Sequence, residues 1–106
     1  GIVSPVVPES TTDVASRIRE ELKRPSMYKV ILHNDDYTTM DFVVHILRSV
    51  FNKPEAEAVR IMLDVHHAGT GLCGVYTAEV AETKVATVHN MAQDQGWPLK
   101  CSMEPE

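Results

Sequence analysis

The residues best suited to chemistry lie in two places, the polar run Asn34-Asp35-Asp36-Tyr37-Thr38 and the pair His66-His67. Each has a purely structural reading. The polar run fits a turn with an Asx motif and a helix cap, and a His near a helix carboxyl end is a favourable dipole contact. Each also has a binding reading, in which the loop needs a partner from elsewhere. His66 could be that partner, with Met62 and Val65 on its helical face at i−4 and i−1. Met40, Val43, Met62 and Val65 are core residues on the first reading. On the second they wall a pocket, and methionines suit a site that accepts several side-chain shapes because they repack readily. Residue types alone leave both readings open.

Other chemistries fit poorly. Five histidines and paired aspartates invite a metal. There is no HExxH, no Cys/His ligand quartet, and Asn34-Asp35-Asp36 lacks the alternating ligands and distal Glu of a calcium loop, so neither metal nor cofactor is expected. Cys73 and Cys101 sit outside any nucleophile context, and no GxSxG elbow or Gly-rich phosphate loop occurs. A small hydrolase built on Asp36 and His66 would lack both oxyanion donors and nucleophile, so the chain is read as a non-enzyme. The formal charge of -5 and the absence of a Lys/Arg cluster argue against nucleic acid and favour a cationic partner group. Two separated cysteines in apolar stretches read as buried, reduced thiols of a cytosol-like compartment. No apolar run approaches the roughly 20 residues that cross a bilayer.

These residues need elements to position them. A chain of 106 residues with 43% hydrophobic residues is expected to form one packed domain. Residues 1–25, which hold three of the six prolines and a Ser-Thr-Thr run, read as a flexible N-terminal extension, with Asp13 able to cap a short helix through Val14, Ile18 and Leu22. The core domain then spans 26–106. Met27–His33 is dense in β-branched and apolar residues and predicts a strand. Thr38 or Thr39 caps a helix to Phe51 with Phe42, Val43, Ile46, Leu47 and Val50 on one stripe. Asn52-Lys53-Pro54 ends it and starts a second helix, with Pro54 in the first turn and Gly69 as the stop. Leu72–Tyr76 predicts a short strand, and Thr77 caps a third helix burying Ala81, Val85, Val88 and Ala92 up to Gly96 and Pro98. Leu99, Cys101 and Met103 alternate with Lys100 and Ser102 as a final strand. The order β-α-α-β-α-β implies an α+β sandwich, a three-stranded antiparallel sheet packed against three helices.

The segments PSMYKVILHNDDYTTMDFVVHIL, MLDVHHAGTGLCGVYTAEVAETKVA and PLKCSMEPE together resemble the ClpS adaptor family along nearly the whole chain after residue 24. That resemblance implies a monomeric adaptor of a bacterial cytoplasm or a plastid stroma that binds bulky hydrophobic N-terminal residues (Leu, Phe, Tyr, Trp), the N-degrons of the N-end rule. It delivers their bearers to a ClpA-type AAA+ ATPase, through that ATPase's N-terminal domain, for degradation by ClpP. By the same resemblance Asn34, Asp35, Asp36 and His66 contact the substrate α-amino group. Leu32, Thr38, Met40, Val43, Met62, Val65 and Leu99 line the side-chain pocket, Met40 narrowing its entrance. Glu79 and Lys84 in TAEVAETKVA correspond to the ATPase-docking face, and the N-terminal extension to a segment that engages the ATPase pore. Thr39 stands where many relatives carry proline, and His33 where an apolar residue is common. The chemistry agrees, since a free α-ammonium has three donors and calls for carboxylate, amide oxygen and neutral imidazole acceptors. The alternative, an interaction domain that modulates its ATPase without reading N-termini, would be expected to lack that acceptor set.

Overall fold

The computed structural model describes residues 14–17 and 25–106. Val14 to Arg17 form a helical turn; the remainder of the expected N-terminal extension and its short helix lies outside the described residues. Strand β1 (Met27–His33) matches the expected segment residue for residue. It is followed by α1 (Met40–Ser49), α2 (Glu55–Ala68), β2 (Thr70–Thr77), α3 (Ala78–Gln95) and β3 (Lys100–Pro105). The three strands form one antiparallel sheet in the order β2-β1-β3, so the first strand is central.

Alternation along β1 sends Val30 and Leu32 into the core, where both are fully buried. Helix α3 packs across all three strands, while α2 packs on β2 and on α1. The core fills the space between with Ile46, Leu47, Ile61, Cys73, Val88 and Cys101. The register between β1 and β2 shifts after Val30, so that Val30 faces Gly74 and Ile31 faces Leu72. Cys73 is the extra residue of this bulge and is buried.

Several element ends differ from the sequence expectation. Helix α1 stops at Ser49 instead of Phe51: Val50 is its C-cap, and Asn52 adopts φ 53°, a left-handed conformation that asparagine tolerates. The Lys53 N–H then donates to the Leu47 carbonyl at 3.0 Å and closes the helix. Pro54 is the N-cap of α2 and not a first-turn residue, with Glu55 and Glu57 behind it at the positive end of the dipole. Gly69 does end α2, at φ 89°. Thr77 occupies the N-cap of α3 in extended conformation, yet its side chain makes no capping hydrogen bond. Strand β2 runs from Thr70, longer than expected, because His33 at the end of β1 pairs with it.

Cys73 and Cys101 are free and buried on strands either side of β1. Two strand spacings, about 9.5 Å, exceed the roughly 7 Å that a disulfide can span. Burial pushes both thiols up to about 12, which keeps them protonated and inert.

Candidate functional site

The site is assembled where β1 ends. His33 pairs with Thr70, and the Asn34 N–H donates to the Gly69 carbonyl at 2.9 Å, which ties the start of the polar loop to the end of α2. Residues more than thirty apart in sequence, Asn34 and His66, are thereby brought to one cavity of about 270 Å³. Its polar wall is Asn34, Asp35, Asp36, Thr38 and His66, and its apolar wall is Met40, Val43, Met62 and Val65. Val43, Met62 and Val65 present buried side chains, while Met40 at the rim is 47% exposed.

Within the loop, Asp35 is the organiser. Its Oδ1 accepts from the backbone N–H of Tyr37 at 2.8 Å and of Thr38 at 2.7 Å, and its Oδ2 accepts from the Thr38 hydroxyl at 2.7 Å. Slight burial pushes the carboxyl pKa up, but the three donors outweigh it and hold the group ionised below its ordinary value. Asp35 therefore supplies negative charge to the cavity while most of its acceptor capacity is spent on the loop. Asp36 and Asn34 are exposed and make no side-chain hydrogen bond among the described residues, leaving their oxygens available. Thr39 caps α1 as expected, its hydroxyl accepting from the Phe42 N–H at 3.2 Å, and so fixes the helix that carries Met40 and Val43.

His66 lies in the last turn of α2, exposed, with its ring 5.1 Å from that of His67. Its position meets what the dipole reading and the cavity reading each require, because the end of α2 is itself a wall of the cavity. Gly71 lets α2 approach β2 this closely. A Cβ there would stand 2.6 Å from Val65 Cγ2 and 3.1 Å from the Ile61 carbonyl oxygen. The lining contains two carboxylates and no Lys or Arg, so the cavity favours a cation with several donors beside an apolar group.

Two of the expected pocket residues, Leu32 and Leu99, are buried in the core and are not among the residues lining this cavity. His33 alternates to the opposite face of the sheet from Leu32 and shares a 2.6 Å hydrogen bond with Ser102. Glu79 and Lys84 lie apart, on α3, bordering a shallow hollow of about 530 Å³ with Val80, Glu82 and Thr83. Lys84 is not free there. Its ammonium donates to the Val50 carbonyl at 2.7 Å and lies 5.7 Å and 5.1 Å from the ring centres of Phe51 and Tyr76. Sequence reasoning missed a further hollow of about 580 Å³ at the other flank of α1, whose available signal was the single Trp97 between Gly96 and Pro98.

Comparison with known proteins decides the family. Residues 23–102 match the family described as "ATP-dependent Clp protease adaptor protein ClpS". The chain belongs to the ClpS family. It is 62% identical over 104 residues to the ATP-dependent Clp protease adapter protein ClpS of Desulfatibacillum aliphaticivorans, covering 98% of this chain and 100% of that one. It is 54% identical to the protein of the same name from Syntrophus aciditrophicus, over 91% of this chain and 97% of that one. Among solved structures, Agrobacterium tumefaciens ClpS2 bound to L-phenylalaninamide superposes with a TM-score of 0.76 at 38% identity, covering 78% of this chain and 100% of that one. ClpS proteins are adaptors of the Clp protease, and the fold found here is theirs. Among the described residues no helix is long and apolar enough to cross a membrane, and no group of three His, Cys, Asp or Glu could hold a metal ion.

Proposed function

We propose that the cavity between the Asn34–Thr38 loop and the end of α2 captures the first residue of a protein, and that the adaptor then hands that protein to a ClpA-type ATPase. The observation that carries this reading is the meeting of free acceptors (Asn34, Asp36, His66) and an apolar wall (Met40, Val43, Met62, Val65) in one cavity. The free α-ammonium is met by the acceptors, with the Asp35 and Asp36 carboxylates adding charge, and the side chain beside it lies on the apolar wall. The ligand of the Agrobacterium relative has the same two parts, an α-amino group and a benzyl side chain. Bulky hydrophobic residues, Leu, Phe, Tyr and Trp, fit best. Leu32 and Leu99 are buried in the core and do not line the cavity.

An interior peptide bond brings one amide donor and no charge, which would leave the acceptors unpaired, so a chain end is selected over internal segments. Burial of a Leu or Phe side chain is worth about 1.5–3 kcal/mol and each charge-assisted hydrogen bond about 1.5–3. Less the cost of ordering a peptide end, that leaves an affinity around the micromolar scale, near −8 kcal/mol, suited to capture followed by release. Delivery uses the Glu79–Lys84 face of α3 to dock on the ATPase, with one adaptor molecule acting alone in the cytoplasm. The test is a titration of peptides that differ only in the first residue. Leu- and Phe-initiated peptides are expected to bind at least tenfold tighter than Gly- and Glu-initiated ones. Indifference to the first residue would favour an ATPase-modulating domain that does not read N-termini.

A further inference from the structure

The rim of the cavity carries a reactive atom that the binding reading leaves unused, the thioether sulfur of Met40. Of the five methionines, all within the described residues, Met40 alone is exposed, at 47%, while Met27, Met91 and Met103 are half-buried and Met62 is 9% exposed. Met40 is the first residue of α1, beside the Asn34–Thr38 loop, and lines the same cavity as Asp36 and His66. A small oxidant in solution therefore meets this sulfur ahead of the others, at the place where a captured side chain would lie.

Its surroundings fix what oxidation would do. Attack of the sulfur lone pair on hydrogen peroxide forms one S–O bond, breaks the O–O bond and releases water, so that sulfur is oxidised by two electrons and the peroxide is reduced. The product is a sulfoxide, polar where the thioether was apolar. The wall it belongs to, Val43, Met62 and Val65, offers no side-chain donor. Covering the sulfoxide oxygen with a leucine or phenylalanine side chain would bury it without a partner. Turning it out to solvent would take the apolar surface away with it. Either way a bulky apolar residue is held less well. Cys73 and Cys101, the other oxidisable sulfurs, are buried and held protonated, so they do not compete for the oxidant.

We propose that Met40 is a reversible oxidation site through which hydroperoxides switch off the capture of apolar first residues. This switch rests on the reading that the cavity holds a chain end. A thiol-dependent methionine sulfoxide reductase returns the sulfur to its thioether and restores the apolar rim. The modification is not equivalent to truncation, since Met40→Ala shortens the wall, whereas a sulfoxide keeps its bulk and makes it polar.

Treatment with graded hydrogen peroxide tests it, each methionine being followed by peptide mass spectrometry and the affinity for a Leu-initiated peptide by fluorescence anisotropy. Met40 is expected to oxidise first, and affinity to fall at least about fivefold in step with it. In Met40→Leu, whatever the affinity of that variant itself, treatment should change binding by less than about twofold, because leucine has no sulfur to oxidise. In Met91→Leu the loss should match that of the parent protein. A sulfoxide reductase with its thiol reductant should restore binding. Oxidation of another methionine ahead of Met40, or complete Met40 oxidation with affinity unchanged, overturns the switch. So does an equal loss in Met40→Leu, which would place the damage elsewhere, or a loss that the reductase cannot reverse. The acetylated peptide on untreated protein separates the two claims. If only the free-amine form binds but oxidation is without effect, the switch alone fails; if the acetylated form binds equally well, the first-residue reading fails and the switch falls with it.

Discussion

Side chains from the Asn34–Thr38 loop, from α1 and from α2 converge on a hollow, whereas Glu79, Val80, Thr83 and Lys84 all project from the single helix α3. The first region leaves its polar groups free, Asn34, Asp36 and His66 among them, and spends one carboxylate, Asp35, on holding the loop that presents them. The second does the reverse. Its cation is anchored on the end of α1 and beside two rings, and its two acidic residues, Glu79 and Glu82, are exposed. Convergence of distant segments suits recognition of a small group in three dimensions, and a one-helix face suits docking against another protein. Reading the substrate and engaging the ATPase should therefore be separable by mutation.

The largest effect is expected inside the first region, from Asp35→Ala. Losing three loop hydrogen bonds and a charge at once should weaken a Leu-initiated peptide by about 3 kcal/mol or more and speed amide exchange at Tyr37 and Thr38. His66→Ala removes one acceptor only and should cost about 1.5–3 kcal/mol of affinity with exchange in the loop unchanged. Equal effects on exchange would erase the distinction between organiser and ligand. Acid sharpens it further. The folded pKa of Asp35 is lowered, so its contribution to stability is present above the unfolded carboxylate value of about 3.9 and is lost as the pH falls through the folded value. In Asp35→Ala the acid limb of a melting-temperature profile should be flatter.

Gly71→Ala comes next. The new methyl meets Val65 and the Ile61 carbonyl too closely, so α2 must shift, with an expected loss of about 1–3 kcal/mol in denaturant unfolding and weaker peptide binding. In the second region, Lys84→Ala should lower stability by about 1–2 kcal/mol through the lost charge-assisted bond and ring contacts, while Glu79→Lys should change it by less than about 0.5. Both should leave peptide affinity intact and impair delivery to the ATPase. A loss of peptide affinity in either would show that the regions are coupled. The smallest effect concerns the rim: Met40→Ala should admit Ile- and Val-initiated peptides, whose Cβ branch otherwise meets the entrance, at a slight cost for Leu. If Ile gains nothing relative to Leu, the rim is not the gate.

Much of this was legible in the residues. Strand β1, the buried stripes of α1 and α3 apart from the half-buried Phe42 and Val85, and Gly69 and Gly96 as helix stops follow from periodicity and from left-handed backbone at glycine. The meeting of Asn34 with His66 was not legible from spacing, because it depends on β1 pairing with β2 and on the Asn34–Gly69 hydrogen bond. Local composition likewise could not tell that Asp35 is committed inward while Asp36 is free. Leu32 was expected at the pocket wall, but strand alternation sends it into the core, and it does not line the cavity. The anchoring of Lys84 rests on contacts 34 residues apart, and the early end of α1 that exposes the Val50 carbonyl to it turns on one asparagine in a left-handed conformation.

The account stands most directly on the free amino group. Binding of a labelled Leu-initiated peptide should be measured by anisotropy beside the same peptide acetylated at its amino end. Acetylation removes the charge and leaves one of three donors, so it should weaken binding at least a hundredfold, equivalent to about 2.7 kcal/mol or more. Affinities within threefold of each other would mean that Asn34, Asp36 and His66 do not receive an α-ammonium, and the central claim would be wrong.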